Sequence, residues 1–257
     1  MSADFLLKMD SLSVSFGGVK ALENYSLALP TGRILGVIGP NGAGKTTLFN
    51  VLTGFIRPDS GQIHFDGQEI THFDPYKIAR LGVSRSFQNI CLFGNLSVID
   101  NVIVSCQIHQ HTPFLSVLYK TRSYKQNELK LREKAWNLLS VFGLEKHADR
   151  RAKTLAYGDQ RRLEIARALA ATPKLLIIDE PAAGMNPSET QELLELILKL
   201  KEKFSLTIVL IEHNMNLVMR LCEFIQVLNC GRLAAEGLPA EIQQNQEVID
   251  AYLGARE

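Results

Sequence analysis

Apolar and polar residues alternate over Leu12-Ser-Val-Ser-Phe16 and again over Ser26-Leu-Ala-Leu29, the period-two pattern of half-buried strands. Gly17-Gly18 and Pro30-Thr-Gly32 follow these runs as turn signals. Gly61-Gln-Ile-His-Phe65 alternates too and is closed by Asp66-Gly67, a hairpin-type dipeptide. The opening third therefore predicts a β-rich region, followed by a short helix over Pro75–Leu81 and another strand over Val83–Phe87. From about Asn89 to Ala171 the period becomes helical. Leu131, Ala135, Trp136, Leu138, Leu139 and Phe142 form an apolar stripe there, with Trp136 read as helix-face packing. The last third returns to βα alternation. Leu175–Asp179 and Thr207–Glu212 are compact apolar strands, with a long helix over about Glu189–Phe204 between them. The tail, Arg232–Gly254, predicts one strand and two short helices.

Composition narrows the function classes. The chain has 257 residues, 46% hydrophobic and 21% charged, so it can bury a sizeable core. A net charge of +1 with scattered basic residues gives no electrostatic reason to bind nucleic acid or an anionic membrane surface. No stretch approaches the ~20 apolar residues of a membrane-spanning helix. The start, Met1-Ser-Ala-Asp-Phe-Leu-Leu-Lys8, has an acidic residue and too short an apolar stretch for a secretory signal. Cys91, Cys106, Cys222 and Cys230 lack CxxC spacing and read as reduced thiols of a cytosolic protein. His109 and His111 form an HxH pair with no further ligand nearby, and a loop or helix-end position suits them.

The chemistry starts at Gly39-Pro40-Asn41-Gly42-Ala43-Gly44-Lys45-Thr46, a complete GxxxxGK[ST] phosphate loop. Arg33–Ile38 before it suits a buried strand, and Thr46-Thr47-Leu-Phe-Asn-Val-Leu52 after it reads as a helix start. The glycines let backbone N–H groups converge on phosphate oxygens, and the helix dipole points at the same anion. Lys45 can reach the β- and γ-phosphates, and the Thr46 hydroxyl can hold Mg²⁺. Leu175-Leu-Ile-Ile-Asp179-Glu180 is an apolar strand ending in two carboxylates. Ligands collect at the carboxyl ends of such strands, so Asp179 suits a metal-holding role and Glu180 a general base for the attacking water. His213 ends a third apolar run, where it could hydrogen-bond the γ-phosphate and orient Glu180. Gln88 carries a neutral amide that can ligate Mg²⁺ or position water. In Thr154–Leu169 a small polar turn with Gly158 precedes a helical run, a second anion-binding helix start.

Together these stretches resemble the ATP-binding-cassette (ABC) ATPases over nearly the whole chain. In the family's order stand Phe16, the Walker A loop 39–46, Gln88, the signature at Leu155–Asp159, Walker B at 175–180, the D-loop Ala183–Asn186 and His213. The resemblance implies an α/β fold: a P-loop NTPase (RecA-like) core with an N-terminal antiparallel β subdomain and an inserted helical subdomain. Residues 1–257 would be one ABC ATPase domain, with 1–88 and 172–257 as core and 89–171 as helical subdomain. It also implies ATP and Mg²⁺ as ligands, with Phe16 stacked on adenine. Ala156, Tyr157, Gly158 and Asp159 of one subunit would complete the nucleotide site of a second ABC ATPase subunit, in a heterodimer or homodimer. Two positions depart from the family pattern: Ala156 offers no hydroxyl to the γ-phosphate, and Asn186 stands where Asp is usual. A P-loop kinase would lack the signature and the terminal histidine. A soluble ABC ATPase acting on nucleic acid or the ribosome would usually carry coiled-coil insertions, a second cassette or more basic surface.

Within the family, Arg80–Gln88, Ala156–Ile165, Asp179–Pro187 and Val248–Gly254 look like the first ATP-binding subunit (LivG type) of branched-chain amino acid importers. The cassettes of urea or amide import and of lipopolysaccharide export are similar alternatives. The LivG likeness implies a peripheral subunit on the cytoplasmic face of a bacterial inner membrane. It would dock integral membrane permease subunits, act with a periplasmic binding protein only indirectly, and bind no nucleic acid. Docking would use the groove near Gln88, where Asn89-Ile-Cys-Leu-Phe93 supplies apolar surface.

Overall fold

The computed structural model describes residues 5–86, 89–110, 118–119, 121–246 and 248. The alternating opening runs form two twelve-residue strands, β1 (Phe5–Phe16) and β2 (Val19–Pro30), paired antiparallel across the Gly17-Gly18 turn. With β4 (Ser60–Phe65) and β5 (Gln68–Glu69) they make a four-stranded sheet in the order β2-β1-β4-β5.

The continuous apolar runs form the second sheet. Its strands are β3 (Ile34–Ile38), β6 (Val83–Arg85), β7 (Leu175–Asp179), β8 (Thr207–Ile211), β9 (Phe224–Asn229) and β10 (Arg232–Gly237), in the order β10-β9-β3-β8-β7-β6. All neighbours run parallel except β9 and β10. Every residue of β3, β7 and β8 is buried because both faces of the sheet are covered, which is why these strands do not alternate in sequence. Ile34, Ile38, Leu176, Ile178, Ile208 and Leu210 point into a core shared with the helices that follow β6. Leu35, Val37, Leu175, Ile177, Val209 and Ile211 point into a core shared with α1 (Lys45–Leu52) and the antiparallel sheet. Each such fully buried Leu or Ile contributes roughly 1.5–3 kcal/mol.

The short helix α2 (Pro75–Leu81) precedes β6. Helices α3 (Val98–Cys106), α4 (Arg122–Val141) and α5 (Tyr157–Ala170) lie between β6 and β7. In α4 the sides of Leu131, Ala135, Leu138 and Leu139 are buried as the stripe requires, but Trp136 is 44% exposed. It sits next to Ala135, about 100° around the helix, and so falls off the packed face. The last helices are α6 (Pro187–Phe204), α7 (Met215–Leu221) and α8 (Pro239–Gln244). α7 and β9 have no counterpart in the periodicity reading, and the second tail helix expected there lies outside the described residues. Cys106 and Cys222 are buried and Cys91 and Cys230 exposed, all four as free thiols. His109 hydrogen-bonds the Ala171 carbonyl at 3.0 Å, and His111 lies outside the described residues.

Candidate functional site

The strand order places the carboxyl ends of β3, β8, β7 and β6 side by side. From these ends come the Gly39–Thr46 loop, Glu212-His213, Asp179-Glu180 and Arg85, so segments far apart in sequence meet on one edge. This is the edge where an open α/β sheet collects ligands.

The loop's shape depends on two glycines. A Cβ on Gly39 would fall 2.2 Å from the Leu228 carbonyl oxygen, and one on Gly44 would fall 2.5 Å from that of Ala21. Gly44, at φ +103, is also the N-cap of α1, so no side chain blocks the helix start. The Ala43 carbonyl accepts from Gly231 N at 2.9 Å, which ties the loop to the β9–β10 turn. Lys45 bends into the loop and donates to the carbonyls of Gly39 (2.7 Å) and Pro40 (3.0 Å). Burial lowers its pKa, while the nearby carboxylates of Glu180 and Asp179 act in the opposite sense. Asn41, Gly42, Thr46 and Thr47 belong to the same loop and helix start. Phe16 is half exposed at the end of β1, on the hairpin whose second strand brings Ala21 against Gly44.

Asp179 is buried and pairs with Arg85 Nη2 at 2.8 Å, while Arg85 Nη1 donates to Asn50 of α1 at 2.9 Å. Burial raises the Asp179 pKa, and Arg85 opposes that shift. Glu180 has a left-handed backbone (φ +43), rare for a residue with a side chain, and its N–H donates to the Ile211 carbonyl at 2.9 Å. That bond continues the β7–β8 ladder and holds the strained residue in place. His213 Nδ1 lies 3.7 Å from Glu180 Oε1.

Two residues that sequence reasoning passed over shape this edge. Arg85 is one; its signal was a lone guanidinium at the end of the short edge strand β6. Glu212 is the other, 1% exposed directly after four apolar residues. Its carboxylate accepts from the N–H groups of Ala182, His213 and Asn214 at 3.1–3.2 Å, joining the loop after β7 to the start of α7. Gln88 lies outside the described residues.

The signature stretch sits elsewhere. Ala156 is the N-cap of α5, and Tyr157, Gly158 and Asp159 form its first turn, so Gly158 is inside the helix rather than in a turn before it. The Tyr157 hydroxyl donates to the Ala183 carbonyl at 2.9 Å, and its ring packs against Gly184, which has φ +77. Asn186 caps α6: its Oδ1 accepts from Glu189 N at 3.0 Å, and its own N–H donates to Glu189 at 3.0 Å. Among the described residues no hydrogen bond or ion pair joins the first turn of α5 to the Gly39–Thr46 loop.

A phosphate loop, a strand-end Asp-Glu pair and a separate signature helix on this two-sheet scaffold define an ATP-binding-cassette ATPase. The chain belongs to the ABC transporter family, whose sequence profile matches residues 22–183, and the profile described as branched-chain amino acid ATP-binding cassette transporter matches residues 232–257. It is 45% identical to the high-affinity branched-chain amino acid transport ATP-binding protein BraF of Pseudomonas aeruginosa, over 97% of this chain and 98% of that protein. It is 46% identical, over the same shares, to the protein of the same description, LivG, from Escherichia coli. Among solved structures it superposes on the ADP conformation of an ABC transporter's ATP-binding cassette with a TM-score of 0.84 and 31% identity, covering 97% of this chain and 99% of that one. A nucleotide-free cassette gives a TM-score of 0.83, also at 31% identity, over 96% and 98% of the two chains.

Proposed function

We propose that the chain powers uptake of branched-chain amino acids as the ATP-hydrolysing subunit of an importer, working on the cytoplasmic face of a bacterial inner membrane. The observation that carries this reading is the 45–46% identity to two such transport proteins along 97% of the chain. No helix among the described residues is long and apolar enough to cross a membrane, so membrane subunits would have to supply the pathway. A groove of about 710 Å³ between α2, β6, α3 and α5, rimmed by Phe55, Tyr76, Phe93 and Val104, is the surface assigned to a permease segment. Co-reconstitution of the cassette with its membrane subunits tests the reading. ATP-dependent accumulation of labelled leucine, isoleucine or valine supports it; accumulation of urea or short amides instead, or of none, overturns it.

In this reading the loop N–H groups and Lys45 bind the triphosphate, Phe16 stacks on adenine, and Glu180 takes the proton of the attacking water. His213 keeps Glu180 aimed and contacts the γ-phosphate. Thr46, Asp179 and Gln88 would hold Mg²⁺, which when bound neutralises charge on the phosphates. The Thr46 hydroxyl and the Asp179 carboxylate are oxygen donors, the kind Mg²⁺ takes beside phosphate oxygens and water.

Ala156, Tyr157, Gly158 and Asp159, at the start of α5, would complete the site of a second cassette, as the family's signature stretch implies. Cysteines placed at Ala43 and Gly158 should therefore form crosslinks between chains, and not within one, when ATP is added to a slow-turnover background. Crosslinks found only within single chains would rule out the head-to-tail pair.

The same geometry predicts the pH dependence of ATP·Mg²⁺ affinity. Burial lowers the Lys45 pKa, so its ammonium is lost at lower pH than for an ordinary lysine, and the alkaline limb moves toward neutrality. Burial raises the Asp179 pKa, so its carboxylate protonates at higher pH than usual, and the acid limb also moves toward neutrality. Titration of a fluorescent ATP analogue from about pH 4 to about pH 10 should show this narrowed bell, given ordinary values near 3.9 and 10.4. Without Mg²⁺ the alkaline limb should remain and the Asp179 limb should weaken.

A further inference from the structure

Arg161 and Glu164 face each other at 3.0 Å on α5, with side chains 3% and 1% exposed. A buried ion pair adds little net stability over apolar residues of similar size, because desolvation offsets most of the attraction. Stability alone therefore does not account for this pair; its other contacts do. The remaining Glu164 oxygen accepts from the Cys91 N–H at 3.2 Å. Nearly one turn further along α5, Arg167 Nη1 donates to the Cys91 carbonyl at 2.6 Å. Both polar backbone groups of Cys91 are thus held by α5, across 73 and 76 residues of sequence. In the other direction, the Arg161 guanidinium lies over the Tyr157 ring, 5.7 Å from its centroid. Tyr157 in turn donates to Ala183 in the loop after Glu180. A continuous line of contacts runs from Cys91 through Glu164, Arg161 and Tyr157 to Ala183. It starts beside Phe93, on the rim of the groove, where the Phe93 ring also stacks with Arg167.

We infer that Glu164, Arg161 and Arg167 are positioning residues that clamp the Cys91 backbone to α5. A displacement of the groove wall by a docked membrane subunit then reaches the first turn of α5 and the loop after Glu180. This rests on the transporter reading above. It adds a specific mechanical path, built from packed charges with fixed hydrogen-bond geometry, between the docking groove and the nucleotide edge.

The test uses the cassette assembled with its membrane subunits in lipid vesicles, compared with the free cassette. Arg167→Ala and Glu164→Ala should cut the stimulation of ATP hydrolysis on assembly at least about fivefold. ATP affinity and hydrolysis of the free cassette should stay within about twofold of wild type. Glu164→Gln, whose amide oxygen still accepts from Cys91 N–H, should keep at least half of the stimulation. If Glu164→Ala does not fold, because it removes the carboxylate paired with a buried guanidinium, Arg167→Ala decides alone. A merely structural role would lower the melting temperature and the free-cassette rate together and leave the stimulation ratio intact. That result, or wild-type stimulation in Arg167→Ala, overturns the clamp. Absence of stimulation in the wild-type assembly overturns the transporter reading, and the clamp with it.

Discussion

Glu180→Gln should bind ATP with unchanged affinity and hydrolyse it about 10²–10⁴-fold more slowly, the range for removing a general base. That corresponds to about 3–5 kcal/mol of lost transition-state stabilisation. The substitution keeps the size and hydrogen-bonding reach of the side chain but removes its capacity to accept a proton. The environment gives it nowhere else to act. Glu180 is held by its main-chain bond to Ile211 in a left-handed conformation, and His213 stands 3.7 Å away. A glutamine there keeps its place and loses only the chemistry. With turnover blocked, the variant should accumulate as an ATP-dependent dimer on gel filtration. Single-turnover phosphate release at the wild-type rate would remove Glu180 from the role of base.

Lys45→Ala should lose about 100-fold or more in ATP affinity, consistent with loss of one or two charge-assisted hydrogen bonds of about 1.5–3 kcal/mol each. The ammonium already sits inside the loop on the Gly39 and Pro40 carbonyls, so phosphate binding exchanges backbone acceptors for charged ones. Stability should move the other way. Burial disfavours the charged form of Lys45, so folding carries a desolvation cost that alanine removes. The melting temperature should not fall, and calorimetry beside binding isotherms separates the two effects. A variant that binds ATP normally would assign the phosphates to another group.

Much of this was legible from local pattern. The four-residue apolar runs within β7 and β8 read as strands because each is buried on both faces, and the phosphate loop and the Asp179-Glu180 pair are contiguous signals. What escaped depends on partners distant in sequence. Arg85 meets Asp179 across 94 residues, and Glu212 reaches Ala182 across 30. β9 was hidden because Gln226 interrupts its apolar run. In the fold that amide is buried and its oxygen accepts from the Tyr25 hydroxyl at 2.5 Å, a satisfaction that no local pattern reports. Trp136 failed for a simpler reason: in the helical projection it falls about 60° beyond Leu139, the last buried position of the stripe.

Asn186 commits its side-chain oxygen and its own amide to α6. In a paired assembly, a polar contact from this side chain across the interface would therefore have to come from its amide NH2, because Glu189 N–H already occupies the oxygen.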